Sequence, residues 1–340
     1  MNLDQSLAEP GACLLIIAPH PDDESLATGG LIQRALAHGA RVHIVFVTDG
    51  DNNPWPQRVL EMRVRIGPRE RARWAERRRG EAERALRELG AERATVHRLG
   101  WPDGGVTWKL VDETASVITQ WQGLLQEIAP TLLVLPDLAD GHPDHSALHV
   151  MLELVLNGMP ETDRPQCLGY LLHGHAGVDP ARQVVFELSE AERARKRKAI
   201  HSHRSQLALS RGRMLRWATA QERFVFGIGN QGLSGTRLPW QPPRWLRSTM
   251  VLLAVDAQGG QRLPCGSARE ASLFWRDGTP AAGGARPLQP PYYIKLYSAV
   301  PSPWVFDVWG WRRFAPQGPA TAAVAPRSPH EADPRQNEKP

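Results

Sequence analysis

Two short stretches of this chain carry the residue types that chemistry needs. The first, HPDDE at residues 20–24, sets His20, Asp22, Asp23 and Glu24 side by side. The second, GHPDH at residues 141–145, supplies His142, Asp144 and His145. One imidazole among three carboxylates would repel or titrate unless a positive charge sat with them, and a divalent metal is the simplest such charge. His20 and Asp23 are three apart, as are His142 and His145, a spacing that lets both members of a pair face one ion on a tight turn. Two imidazoles and one carboxylate make an open zinc site with room for water. Such a metal lowers the pKa of its water toward about 7 and polarises a carbonyl. Amide hydrolysis also needs a base for the water and a donor for the developing charge. Asp22 and His142 are the spare groups beside the ligands, and Asp144, with Glu24, is placed to support them.

Each cluster follows an apolar run that reads as a buried strand. Residues 13–18 have no helical period and are stopped by Pro19, which cannot donate to a ladder. Residues 131–135 are similar and are stopped by Pro136. After the first cluster, residues 31–38 read as a helix ending at Gly39, and residues 41–47 as a second strand. This strand–helix–strand spacing is a βαβ unit and implies a parallel sheet. In open α/β sheets ligands bind beyond the carboxyl ends of the strands, so both clusters are expected on one rim. Residues 54–80 read as a helical or mobile excursion, and residues 78–89 as an amphipathic helix. Residues 95–99 form a third strand, running into the turn GWPDGG. Helices are expected at 113–128, 146–156 and 190–209, and late strands at 169–175 and 183–188.

From Phe224 onward the texture changes to Gly, Pro and Trp, with strands expected at 251–255 and 292–297. Residues 316–340 have no periodicity and read as a disordered tail. The expected fold class is α/β, a mostly parallel sheet flanked by helices with a C-terminal β-rich extension. The expected divisions are a catalytic domain at 1–215, the extension at 216–315 and the tail at 316–340. The late tryptophans read as the aromatic core of that extension.

The totals bound the function. The chain has 340 residues, a net charge of +5 and three isolated cysteines, so no disulfide framework or CxxC zinc spacing is expected. It contains no apolar run of about 18 residues or more, so no membrane span is expected. The start, MNLDQSLAEP, has neither the basic nor the apolar region of a secretory leader. A cytoplasmic location is therefore expected. The arginine-rich excess suits an anionic or lipid-linked substrate and peripheral contact with the inner face of a membrane. A non-haem Fe(II) oxygenase shares the two-histidine, one-carboxylate donor set but usually sits on a β-barrel. An Arg-rich nucleic-acid binder is the other rival, weakened by Glu76, Glu81, Glu83 and Glu88 interleaved along the basic helix. GIGNQG at 227–232 formally fits a dinucleotide fingerprint, but the sequence after it cannot form the required helix.

The motifs also resemble a known family. APHPDDE with the following GG, and GHPDH, are similar to the first and second motifs of the PIG-L/LmbE-like de-N-acetylases. RRGEAERALRELG, LGWPDGG and KRKAIHSHRSQ are similar to the helix, loop and late helix that accompany them, in the same order from Cys13 to Gln206. The resemblance implies a Rossmann-like α/β domain and a Zn2+ ion, with Fe2+ as a substitute, held by His20, Asp23 and His145. It implies Asp22 as general base, and His142 as the group that stabilises the oxyanion or protonates the amine. It implies Arg78 and Asp103 as sugar contacts, with a surface ion pair and a turn-forming side chain as the respective alternatives. The implied substrate is an N-acetylglucosaminyl small molecule, glycolipid or glycan, and no nucleic acid is implied. The resemblance ends near residue 210.

Overall fold

A strand covered on both faces must be apolar throughout, and all six residues of β1 (Cys13–Ala18) are buried. The computed structural model describes residues 2–174, 179–228, 240, 242–264, 286–298, 300 and 305–314. Helix α1 (Leu3–Ala8) precedes β1; α2 (Asp23–Ala37) and the parallel β2 (Arg41–Thr48) complete the βαβ unit. Helices α3 (Pro54–Glu61) and α4 (Pro68–Glu88) lead to β3 (Thr95–Trp101). Helices α5 (Val106–Asp112) and α6 (Thr114–Ile128) lead to β4 (Leu132–Pro136), and α7 (Pro143–Asn157) to β5 (Gln166–Tyr170). Then come β6 (Gln183–Glu187), α8 (Glu190–Ser202), α9 (Arg204–Leu215) and β7 (Gln221–Phe226).

These seven strands form one sheet in the order β3-β2-β1-β4-β5-β7-β6. The first five are parallel, and β7 runs antiparallel to both β5 and β6. The expected mostly parallel α/β sheet is therefore what the chain forms, and it is not the barrel that an oxygenase would favour. The chain winds outward through β2 and β3 on one side of β1, then through β4 and β5 on the other. A crevice opens at the carboxyl ends of β1 and β4, where the winding reverses. One face of the sheet packs on α1, α2, α4 and α8, the other on α5, α6 and α7.

A second, antiparallel sheet has the order β11-β10-β8-β9, from β8 (Met250–Asp256), β9 (Gly259–Pro264), β10 (Tyr292–Ser298) and β11 (Arg312–Phe314). Its side chains alternate, as strand geometry requires. Leu253, Val255 and Tyr293 enter the core around α5–α7, while Leu252, Ala254, Ile294 and Leu296 build a smaller core behind. Trp311 is buried in the shared core, whereas Trp245 is exposed. Arg313 of β11 also pairs with Glu153 of α7 at 2.7 Å. No helix among the described residues is long and apolar enough to cross a membrane.

Several elements differ from expectation for identifiable reasons. Helix α2 begins at Asp23 rather than residue 31, because Asp23 and Glu24 occupy buried helical positions and hide the apolar period. Residues 54–80 are helical, in α3 and most of α4. The expected helix 190–209 is two helices broken at His203. Strand β7, which follows residue 215, pairs with β5 and β6 inside the first sheet. Helix α5 and strand β11, of seven and three residues, are too short to stand out, and β7 and β9 carry polar and charged residues in place of a continuous apolar run. The tail at 316–340, and most of GIGNQG, lie outside the described residues.

Gly29 and Gly30 sit where α2 approaches its neighbours closely. A Cβ on Gly30 would lie 1.9 Å from Leu188, and one on Gly29 would lie 3.1 Å from Lys196. Glu222 of β7 accepts from the backbone N–H groups of Gly30 and Leu31 at 2.7 and 3.0 Å, and pairs with Lys196 of α8 at 2.6 Å. Both charged side chains are 1% exposed. Deleting one partner of a buried pair leaves the other charge uncompensated, at a cost of about 3–5 kcal/mol. Glu222→Ala should therefore lower unfolding free energy in a urea titration by about 3 kcal/mol or more, and a loss below 1 kcal/mol would contradict this role.

Candidate metal centre and active site

The two histidine clusters meet. His20 follows β1 directly, and His142 caps the N-terminus of α7 after β4. The rings of His20 and His145 stack 5.4 Å apart, and His142 lies 4.7 Å from His20 and 5.1 Å from His145. Asp23, in the first turn of α2, bridges the clusters: its Oδ2 lies 3.3 Å from His20 Nδ1 and 3.3 Å from His145 Nε2. Among the described residues, three sets of groups bring ligand atoms within 4.8 Å of one another: His20/His142/His145, Asp140/His145/His173 and His20/Asp103/Asp144.

His145 supplies the test of whether a cation fits. It is 0% exposed, and neither of its ring nitrogens makes a hydrogen bond. Nδ1 faces Asp140 Oδ2 at 3.4 Å and Nε2 faces Asp23. A buried imidazole left without hydrogen bonds between two carboxylates is costly unless a positive charge joins it. The electrostatics agree. Burial works against a charged His145, yet Asp140 and Asp23 override it and raise its pKa to about 9. Burial likewise opposes protonated His20, but the carboxylates of Asp103, Asp144 and Asp23 hold its pKa well above the ordinary value. Burial also opposes ionised Asp23, and His145 and His20 outweigh it, so its pKa falls well below the usual carboxylate range. A pocket this negative attracts a divalent cation, and the imidazole and carboxylate donors suit one.

The remaining expected residues have distinct placements. Asp22 precedes α2 with φ 150° and ψ −26°, a backbone conformation strained for a residue with a Cβ. Its N–H donates to Glu24 Oε2 at 2.9 Å, and the other Glu24 oxygen faces His203 Nε2 at 3.2 Å. Burial pushes the Asp22 carboxyl up, with the Arg78 guanidinium opposing. Arg78 donates to the carbonyls of Gly50 and Pro21 at 2.9 and 2.7 Å and lies 3.2 Å from Asp22 Oδ1. At 3% exposure it is not a surface ion pair; it lines the cavity with its guanidinium beside Asp22. Asp103 faces His20 Nε2 at 3.3 Å and accepts from Asn52 N at 2.8 Å. Asp144 faces the same nitrogen at 3.3 Å and accepts from the backbone of Gly104 and Val106.

His142 Nδ1 accepts the backbone N–H of Asp144 at 3.2 Å. A neutral His142 must therefore carry its proton on Nε2. Burial, and repulsion from His20, His145 and His173, hold its pKa well below the ordinary value.

Sequence reasoning missed Asp140 and His173. Asp140 accepts from the N–H groups of His142, Leu172 and His173 at 2.9, 2.8 and 3.1 Å, besides facing His145. Each stands outside the two histidine spacings, and only the preceding β4 and β5 pointed to this rim. Also missed was Glu81, buried on α4, which accepts both the N–H and hydroxyl of Ser205 at 3.0 and 2.6 Å. The site opens into a cavity of about 560 Å³, lined by His20, Asp22, Asp23, Arg78, Asp103 and His142, and by Trp55, Gln206, Arg213 and Phe306.

A carboxylate that orients a metal-binding histidine typically contributes 10- to 100-fold to metal affinity. Asp140→Asn should weaken Zn2+ binding by about that factor in a chelator competition, and unchanged affinity would remove Asp140 from this role.

Comparison with known proteins agrees with this geometry. The family described as PIG-L, GlcNAc-PI de-N-acetylase, matches residues 15–156. A 1D-myo-inositol 2-acetamido-2-deoxy-alpha-D-glucopyranoside deacetylase of Rhodococcus jostii is 32% identical over 173 residues, 45% of this chain and 56% of the relative. The protein of the same name from Mycolicibacterium vanbaalenii is 31% identical over 157 residues, 41% of this chain and 52% of the relative. The chain thus spans about half the length of these curated relatives. The crystal structure of a zinc-inhibited form of teicoplanin deacetylase superposes with a TM-score of 0.50 at 18% identity, over 63% of this chain and 97% of that one, and shares the fold. In its motifs, its sheet order and the matching segment 15–156, the chain is similar to the PIG-L/LmbE-like de-N-acetylases.

Proposed function

We propose that this protein is a zinc-dependent hydrolase that removes the acetyl group from an N-acetylglucosaminyl conjugate. The observation that carries the reading is the convergence of Asp22, Asp23, His20 and His142 on one cavity at the β1–β4 crevice, with His145 buried beside Asp23 and His20. The substrate class is supported by the relatives, which are named for deacetylating a 2-acetamido-2-deoxy-glucopyranoside. An anionic or lipid-linked conjugate suits the net charge of +5.

His20, Asp23 and His145 would hold the ion. Zn2+ suits this mixed N/O donor set, and Fe2+ is the substitute. Bound there, the metal supplies Lewis-acid polarisation and a more acidic water. Asp22, kept beside its guanidinium partner and raised by burial, takes the proton from the attacking water. His142, with its proton on Nε2, donates to the oxygen that gains charge as the carbonyl carbon becomes tetrahedral. The C–N bond then breaks, the amine leaves with a proton, and acetate and a primary amine result. Asp144 and Asp103 fix the His20 ring, and Arg78 fixes Asp22.

Asp22→Asn should retain stoichiometric zinc and lose about 100-fold or more in kcat on an N-acetylglucosaminyl glycolipid or glycan, read as primary amine. A fully active variant would show that another group is the base. His145→Ala should lose the metal by elemental analysis, and retention of one zinc per chain would break the ligand assignment.

A further inference from the structure

We propose that Phe306 sets the size of the acyl group that this protein accepts, a specificity role that rests on the deacylase reading above. The cavity has two unlike ends on either side of the β1–β4 crevice. Asn52 and Asp103, from the turns after β2 and β3, and Gln206 and Arg213 of α9 supply the polar groups of one end, set beside Trp55 and Leu209, a mixture suited to a sugar ring with its hydroxyl edge and apolar face. Leu172, just after β5, joins Val305 and Phe306 in an apolar end. The Phe306 ring lies 5.2 Å from the His173 ring and 6.2 Å from the His142 ring, edge-on to the latter. His142 is the group that serves the reacting carbonyl, so the apolar surface beside it meets the carbon chain of the acyl group while the sugar takes the polar end.

The ring is held in place. The N–H of Asp307 donates to the carbonyl of Gly141 at 2.8 Å, one residue before His142. The Asp307 carboxylate pairs with Lys295 of β10, whose side chain is 1% exposed. Phe306, Asp307 and Lys295 lie outside the segment that matches the family, so this wall comes from β10 and the chain leading into β11. A methyl group packs against an aromatic wall, whereas each further methylene must displace it. Apolar pockets discriminate by about 10- to 200-fold per methylene.

The test uses the full zinc-loaded chain and a series of N-acetyl, N-propionyl and N-butanoyl glucosaminides, read as amine release. Wild type should favour acetyl over butanoyl by at least about tenfold in kcat/KM, and Phe306→Ala should cut that preference by about tenfold. A second readout, thermal shift with acetate and butyrate, should show the variant gaining affinity for butyrate relative to acetate. Phe306→Leu is read in the same way should the alanine variant fail to fold. An unchanged acetyl-to-butanoyl preference in a folded variant overturns the inference. Absence of amine release by wild type from every substrate sinks the deacylase reading instead. The carboxylate titration then decides the pocket alone: a relative butyrate gain supports it, and an unchanged ratio overturns it.

Discussion

Negative charge concentrated out of water is the constraint from which the rest of this structure follows. Asp23, Asp140 and Asp144 are each at most 3% exposed; the first two flank a fully buried His145 and the third faces His20. Isolated ions in such surroundings cost several kcal/mol each, so the fold must supply compensation. It does so with backbone. Three N–H groups point at Asp140 and two at Asp144. Asp23 sits in the first turn of α2, where the helix dipole favours an anion. What this compensation leaves over is a set of imidazole nitrogens with carboxylates beside them, the demand that a cation meets.

The support reaches well beyond the atoms that would touch an ion. Glu24 takes the N–H of Asp22 on one oxygen and faces His203 on the other, so the break between α8 and α9 is tied to the strained residue at the head of α2. Arg78 reaches across from α4 to the same residue and to the carbonyls of Pro21 and Gly50. Helices far apart in sequence thus converge on one carboxylate. That convergence gives the intervening helix and the His-x-Ser-Gln ending a place in the same site as the two histidine motifs.

Much of this was legible in the chain. The strands β1 and β4 announce themselves as continuous apolar runs closed by Pro19 and Pro136, and the βαβ spacing puts both on one rim. His20 and His145 could be paired on that basis alone. Other features left little trace. Asp140 and His173 stand outside the repeated spacing, and their role depends on loop geometry after β4 and β5. By spacing alone Arg78 reads as one more arginine on a basic helix; the resemblance picks it out, and its burial sets it apart from its exposed neighbours. β7 lies where composition turns to Gly and Pro, so its return to the first sheet was hidden, and with it the partner that Glu222 gives Lys196.

The link from Asp307 to Gly141 has a bearing on how the molecule assembles. Contacts between distant parts of a chain form late, because loop-closure entropy must be met before they stabilise anything. The histidine-bearing loops after β1 and β4 leave the ribosome well before residues 292–314. During synthesis the acidic crevice therefore exists for a time without its last wall, open to solvent and to ions on that flank. The second sheet closes it when β10 and β11 pair, so acquisition of a cation can precede completion of the pocket.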